Sequence, residues 1–307
     1  MKQVLVIHYS QSGQLTDIVN NIISPLQNNE TNIDYLEIKM ENPFPFPWPK
    51  DEFFGAFPKT YKQEPQKIKP ISEDLLNKKY DLIIFGYAIW YLTPSLPTIS
   101  FLNTAEAKKI LANAPVITVI GCRNMWIMAH EKMKRQLKSV GANLVGNIVL
   151  ADRHINHISV ITIAQWMFTG EKKRYLGVFP KPGVSEKDIS ESSKFGEIIA
   201  KHLNNNNFNS LQNELISAEA VKIKPFLLTV DKRANIIFSK WAHLITQKSE
   251  ENTSKRAFLV KMFKYYLLFA IWFIAPIVFI LFLLTYLPLY SQIKKDKVYY
   301  ASVAIKE

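Results

Sequence analysis

Four apolar residues, Val4-Leu5-Val6-Ile7, pass without a break into the polar loop His8-Tyr9-Ser10-Gln11-Ser12-Gly13-Gln14. A helical pattern follows, beginning at Leu15, with Ile18, Val19, Ile22 and Ile23 on one side. A continuous apolar, β-branched run is a strand buried on both faces, which calls for a parallel sheet covered by helices. The same unit recurs along the chain. Residues 33–38, 81–86, 115–120 and 143–150 read as strands, and residues 95–111, 126–140 and 185–203 as helices. Alternation at this spacing predicts an α/β fold of right-handed βαβ units, a doubly wound five-stranded parallel sheet over residues 1–203.

Ligands of such sheets sit outside the carboxyl ends of the strands, near the switch in strand order. Three loops fall there. The first, with Ser10, Gln11, Ser12, Gly13, Gln14 and Leu15, offers two hydroxyls, a glycine and the open N–H groups of a helix start, which together suit a phosphate. It lacks the lysine and spacing of a Walker loop, and GxGxxG is absent. The second carries Tyr87, Ala88, Ile89, Trp90 and Tyr91, aromatics that suit stacking on a planar ring, with packing of Trp90 and Tyr91 on a neighbouring helix as the lesser reading. The third has Gly121, Cys122, Arg123, Asn124 and Trp126. Its cation and amide match the carbonyl edge of a flavin, although Arg123 also suits an ordinary surface position. Taken together, the three loops point to FMN.

Two excursions interrupt the alternation, and long loops in compact domains are usually functional. Residues 42–70 hold seven prolines and a dense set of aromatics. Residues 151–183 carry Asp152, Arg153, His154 and His157 ahead of an apolar stretch. After a polar break at residues 204–207, residues 204–262 read as a linker and mixed extension. The run 265–293 then contains no charged side chain and is flanked by lysines and an arginine. About 20 such residues span a bilayer core, so residues 263–293 are expected to be a membrane-spanning or membrane-embedded helix, followed by a polar tail at 294–307. A buried core helix or an oligomer contact fits the same run. The net charge of +12 in 307 residues is assigned to membrane lipid rather than nucleic acid. Cys122 is the single cysteine, so no internal disulfide forms, and no metal-ligand spacing is present.

The segments VLVIHYSQSGQLTDIV, DLIIFGYAIWYLTPSLPTISFL and VITVIGCRNMWIMAHEKMKRQL resemble the flavodoxin and NAD(P)H:quinone reductase-like superfamily over residues 1–203. The first loop departs from that pattern in having Ser12 for threonine and Gln14-Leu15 for Asn-Thr. More narrowly, NPFPFPWPKDEFFGAFPKTY, GCRNMW and the apolar tail resemble the dialkylresorcinol-forming proteins of flexirubin-type pigment clusters. That resemblance implies an FMN-dependent aromatase. It would oxidise a 2,5-dialkylcyclohexane-1,3-dione to a 2,5-dialkylresorcinol, with a separate ketosynthase performing the condensation.

Such a reaction needs a hydride acceptor and a base that titrates near neutrality. His154 and His157 are the candidates, with Asp152 to orient one of them, and Arg123 would stabilise the reduced ring. Each histidine equally suits a solvent-facing or helix-capping role. His130 reads as structural, and His8 as support for the first loop. Cys122 lacks the basic partner a nucleophile requires. The expected location is the inner (cytoplasmic) membrane, with the catalytic domain facing the cytoplasm. A membrane-bound quinone reductase, an electron carrier and a flavin-free scaffold are the competing readings.

Overall fold

A computed structural model of the chain describes residues 1–247 and 253–306. The sheet is built from β1 (Lys2–His8), β2 (Thr31–Glu37), β3 (Leu82–Trp90), β4 (Thr93–Pro94), β5 (Pro115–Cys122) and β6 (Asn143–Ala151). Five strands run parallel in the order β2-β1-β3-β5-β6, and β4 adds a two-residue antiparallel pairing to β3. This is the doubly wound order of the flavodoxin fold, with its switch point between β1 and β3. Val4, Leu5, Val6 and Ile7 are fully buried, as expected for a strand covered on both faces.

The helices are α1 (Gln14–Ile23), α2 (Lys50–Gly55), α3 (Phe57–Lys62), α4 (Glu73–Leu76), α5 (Leu96–Leu102), α6 (Ala105–Leu111), α7 (Ile127–Ser139), α8 (Asn156–Thr169), α9 (Glu186–Ser190), α10 (Ser193–Asn204), α11 (Leu211–Ser217), α12 (Pro225–Gln247), α13 (Thr253–Phe269) and α14 (Ala275–Ala301). The helix expected at 95–111 is two helices, because the Thr104 hydroxyl accepts the Ala107 N–H and starts a new one. Helices α1, α10 and α11 cover one face of the sheet, and α5, α6 and α7 the other. On the first face α10 approaches α1 so closely that a Cβ on Gly196 would stand 1.9 Å from the Ile22 carbonyl oxygen.

β3 extends further than its sequence suggests. Its register with β5 continues through Tyr87↔Ile120 and Ala88↔Gly121, and it then turns back into β4 through Ile89↔Pro94 and Trp90↔Thr93. Tyr91 and Leu92 form the tight turn with φ of 51° and 61°. Two successive left-handed residues are what a two-residue hairpin of matching twist requires, here without glycine or asparagine to ease the strain.

A third apolar cluster lies outside the sheet. It joins the proline-rich excursion (Phe54, Phe57, Tyr61) to α12 (Phe238, Ala242, Ile245) and α13 (Phe263). Within the expected 204–262 extension, two short apolar runs, 225–230 and 236–245, lie on one helix, α12. Residues 248–252 of the expected 204–262 extension lie outside the described residues. Helices α13 and α14 are joined by the π turn Ala270–Ile274, so helical backbone is continuous over Thr253–Ala301. Among the described residues this is the helix long and apolar enough to cross a membrane, by length and composition. Phe226 of α12 touches Phe279 and Phe282 on it.

Of residues 294–307, expected as a polar tail, those described (294–306) continue the helix to Ala301 and return to the domain. The Lys232 Nζ meets the Asp296 carboxylate at 2.7 Å, the Tyr299 hydroxyl donates to Glu131 at 2.7 Å, and Lys134 Nζ donates to the Ala304 carbonyl at 2.9 Å. Tyr300 joins the core beside β5 and α7. Tyrosines among lysines read as polar surface in sequence, whereas their rings cover apolar ground here.

Candidate functional site

The loop after β1 is shaped as an anion cradle. Gly13 sits at the N-cap of α1 with φ 84°, and no side chain caps that end. The first N–H groups of a ten-residue helix are therefore open toward the loop, at the positive end of its dipole. The Ser10 Oγ is buried without a hydrogen-bond partner. A buried hydroxyl left unsatisfied is costly, and a phosphate oxygen is the acceptor it lacks. Ser12 is half-exposed and Leu15 belongs to the core beneath. The donor set fits the phosphate of a mononucleotide.

Two long side chains of this loop hold the cover over it. Gln11 Nε2 donates to the Pro45 carbonyl at 2.7 Å, and its Oε1 accepts from the Tyr9 hydroxyl. Gln14 exchanges two hydrogen bonds of 3.0 Å with the Val184 backbone. Thus Gln11 and Gln14, expected as cofactor contacts, are occupied in tying both excursions down, while the loop's N–H groups and Ser10 stay available. His8 accepts this geometry from below. Its Nε2 lies 3.1 Å from Thr16 Oγ1, and burial lowers its pKa, so it remains neutral.

Trp90 forms an aromatic wall beside the loop. Its ring meets Tyr9, Phe44 and Trp48 edge-on, at 6.0, 5.0 and 5.4 Å between centroids. Ala88 and Ile89 are half-exposed at the same edge. Two neighbours depart from expectation. Tyr87 is wholly buried, with its hydroxyl 3.1 Å from His130 Nδ1, because β3 continues through it and turns its side chain into the core. Tyr91 is thrown outward by the hairpin turn. Its ring packs on Phe53 and Phe57 and its hydroxyl donates to the Phe53 carbonyl. Neither ring is free to stack on a cofactor.

At the end of β5, Gly121, Cys122, Arg123 and Asn124 are half-exposed. Arg123 Nη1 and Asn124 Nδ2 both donate to Asn156 Oδ1 at 2.9 Å, which binds this loop to the start of α8. Burial lowers the Arg123 pKa to about 10, with Asp152 opposing, so the guanidinium stays cationic at neutral pH. Burial also raises the Cys122 thiol, consistent with its reading as a non-nucleophile. Trp126 is buried in the core against the His130 ring, and burial holds His130 far below its ordinary value.

The expected His–Asp arrangement does not form. Asp152 is buried and accepts from the His154 backbone N–H at 2.9 Å and from Ser159 Oγ at 2.7 Å, satisfying the start of α8 instead of orienting an imidazole. The His154 side chain is exposed. His157 Nε2 lies 3.1 Å from the Ile271 carbonyl oxygen and its ring lies 5.0 Å from Trp272. That carbonyl lies in the π turn, where the regular hydrogen-bond ladder is broken. His157 is thus held between α8 and the apolar helix, and Asp152 is spent on backbone and Ser159 instead of an imidazole.

Asp231 was not anticipated. It is fully buried on α12, and Oδ2 accepts the Ile127 and Met128 N–H groups at 2.8 and 3.2 Å, capping α7 from a distance. Its Oδ1 has no partner, and burial raises the carboxyl to about 6. Asp231 lines a cavity of about 260 Å³ with Asn124, Trp126, Leu150, Asp152 and Lys222, beside the third loop at the end of β6. In sequence Asp231 shows only as an acid in the charged break Asp231-Lys232-Arg233 between the apolar runs 225–230 and 236–245.

Neither a family model nor a curated protein matches the chain. Solved structures similar to it include a flavoprotein in complex with FMN from Lactobacillus acidophilus NCFM. That alignment has 19% identity, covers 48% of this chain and 93% of that one, and has a TM-score of 0.40. A flavodoxin from the domain Archaea aligns at 12% identity over 66% of this chain and 99% of its own, with a TM-score of 0.36. Oxidised flavodoxin 1 from Bacillus cereus aligns at 15% identity over 66% and 99%, with a TM-score of 0.36.

Proposed function

We propose that the chain is an FMN-dependent oxidoreductase acting on a hydrophobic cyclic dione at a membrane. The observation that carries the cofactor is the uncapped start of α1 at Gly13 with the unpartnered Ser10 Oγ beside it, placed at the carboxyl edge of β1 next to the sheet's switch point. In this reading Ser10, Ser12 and the N–H groups of the loop hold the phosphate. Trp90 walls the ring on one side, and the loop of Gly121, Cys122, Arg123 and Asn124 supplies the positive edge. Bound there, FMN supplies a two-electron acceptor for the conversion of a 2,5-dialkylcyclohexane-1,3-dione to a 2,5-dialkylresorcinol, in which the ring loses a hydride and a proton.

The chain's own part is to orient the ring, exclude water and take the proton. The cover made by Phe44, Trp48 and Phe53 supports water exclusion and the binding of an apolar substrate. For the proton, Asp231 joins His154 and His157 as a candidate, because its unpartnered Oδ1 lies on the cavity beside Asn124 and burial raises its carboxyl to about 6. The exposed apolar helix supports a location at a membrane, where a dione with two alkyl chains would partition, and the proposed place is the inner membrane with the domain on the cytoplasmic side. A ketosynthase that delivers it is the natural partner.

The cofactor is tested by titrating purified protein with FMN and with riboflavin. Tight binding of FMN alone is expected, and protein that takes up neither contradicts the reading. The reaction is tested by anaerobic mixing of the yellow protein with the dione. Bleaching of the flavin band with resorcinol formation is expected, and a band left unchanged removes the aromatisation.

A further inference from the structure

Both ends of the long apolar helix rest on the same helix of the domain. Phe263 meets α12 at Phe238, with 5.4 Å between ring centroids, while Asp296 and Tyr300 meet it at Lys232. The six residue steps from Lys232 to Phe238 rise about 9 Å. Even with both side-chain pairs fully extended, the two feet stand within roughly 40 Å of each other. A straight helix from residue 263 to residue 300 would separate them by about 55 Å. The helix therefore arches. Its sequence supplies the bends: the π turn Ala270–Ile274, Pro276 directly after it, and Pro288.

The arch is apolar and largely exposed between its feet, touched there by Phe226 at Phe279 and Phe282 and by His157 at Ile271 and Trp272. Phe273, Ile277, Ile280, Leu284 and Leu287 are exposed, Leu284 to 72% and Leu287 to 81%. Cations stand at both feet and nowhere between: Lys255, Arg256, Lys261 and Lys264 before the run, and Lys294, Lys295 and Lys297 after it. The one acid in the second group, Asp296, is engaged by Lys232. An apolar surface framed by basic residues complements a bilayer surface of anionic headgroups.

We infer that the arch enters one leaflet of an anionic bilayer and leaves it on the side where it entered, so that the protein is monotopic. This rests on the membrane location proposed above and is independent of the redox chemistry. A crossing would carry the second foot to the far side of the bilayer. It would withdraw Tyr300 from the core and break the Lys232–Asp296, Tyr299–Glu131 and Gln212–Ala301 contacts. A second copy seated arch to arch would bring like-charged feet together, whereas lipid phosphate neutralises them.

The arch also passes the candidate site. Trp272 and the Ile271 carbonyl hold His157, and the adjacent Asn156 holds Arg123 and Asn124. The third loop is thus tied to the stretch that meets the lipid. This sets the third loop near the leaflet and favours a substrate that partitions into it.

The test uses full-length protein bound to sealed vesicles of phosphatidylcholine with a minority of phosphatidylglycerol. In a Cys122→Ser background, Ser254→Cys and Lys306→Cys report the two feet, and Leu287→Cys reports the crown. A membrane-impermeant maleimide added outside should label both feet equally without detergent and leave the crown protected. Labelling of either foot only after detergent establishes a crossing and overturns the proposal. Failure to float with vesicles, with a dimer in solution, assigns the arch to a second copy and equally overturns it. Leu284→Glu with Leu287→Glu should lower the bound fraction at least about tenfold. FMN absorbance of the wild-type protein on the same vesicles reports the flavin reading separately.

Discussion

Phe57 and Phe263 lie ring on ring, with 3.8 Å between centroids and 7° between planes. Both are fully buried, one on the proline-rich excursion and the other on the apolar helix. This stack is the joint by which the cover of the site and the first foot of the arch become one body. Phe263→Ala should therefore cost about 3–5 kcal/mol of stability and loosen the excursion as well as the helix. Chemical denaturation gives the first effect and proteolysis between residues 44 and 62 the second. Loss of stability with the excursion still protected would show the joint to be one-sided.

Ser10→Ala should weaken FMN binding about tenfold while leaving the melting temperature of the cofactor-free protein unchanged or slightly raised. The hydroxyl has no partner to lose within the chain, so only the holo form feels the change. Paired FMN titrations and thermal melts check this. Equal FMN affinity in the two proteins would mean that the Ser10 hydroxyl makes no contact with the phosphate.

Asp231 sets a pH dependence of stability. Its carboxyl sits at about 6 when folded and near about 4 when unfolded. The folded state thus holds the proton more tightly, and the stabilisation from this group is full below about 4 and lost as pH rises through about 6. The change is on the order of 3 kcal/mol. Asp231→Asn should flatten the stability profile across that window. Asp231→Ala, which also removes the acceptor for two α7 N–H groups, should destabilise by about 1–3 kcal/mol at low pH. Denaturant midpoints measured from pH 4 to pH 8 separate the two. If Asp231→Asn keeps the wild-type slope, another group is responsible.

Gly196→Ala should destabilise by about 3 kcal/mol or more, because the new methyl would meet a backbone oxygen that has no way to yield. By contrast, Gly55→Ala meets nothing within 4 Å in α2 and should be neutral or slightly stabilising. Thermal melts of the pair check this, and equal shifts would contradict the close approach of α10 to α1.

The strands were legible because buried parallel strands are rich in apolar, β-branched residues: β1 follows an unbroken run, and β5 and β6 begin and end close to runs interrupted only by Thr118 and by Gly146-Asn147. The glycine-centred loop was legible for the same local reason, since the helix start it precedes is a pattern of adjacent residues. What escaped were partners set by the fold. Nothing near Tyr87 announces that β3 continues through it, and nothing near His157 announces a carbonyl more than a hundred residues away. Arg123 was legible as a cation on the third loop, but its direction is fixed by Asn156 on α8. The returning tail was read as polar because charge dominates its composition, while two tyrosines decide where it rests.

The place of Tyr300 also bears on the order of folding. Its ring completes the core that β3, β5 and α7 enclose, and it follows the apolar arch in the chain. During synthesis the arch therefore leaves the ribosome before that core can close. For that interval an unfinished domain and a bare apolar helix are exposed together, a combination prone to aggregation. Prompt capture by a lipid surface would shelter the arch while the last helical turn finds its seat.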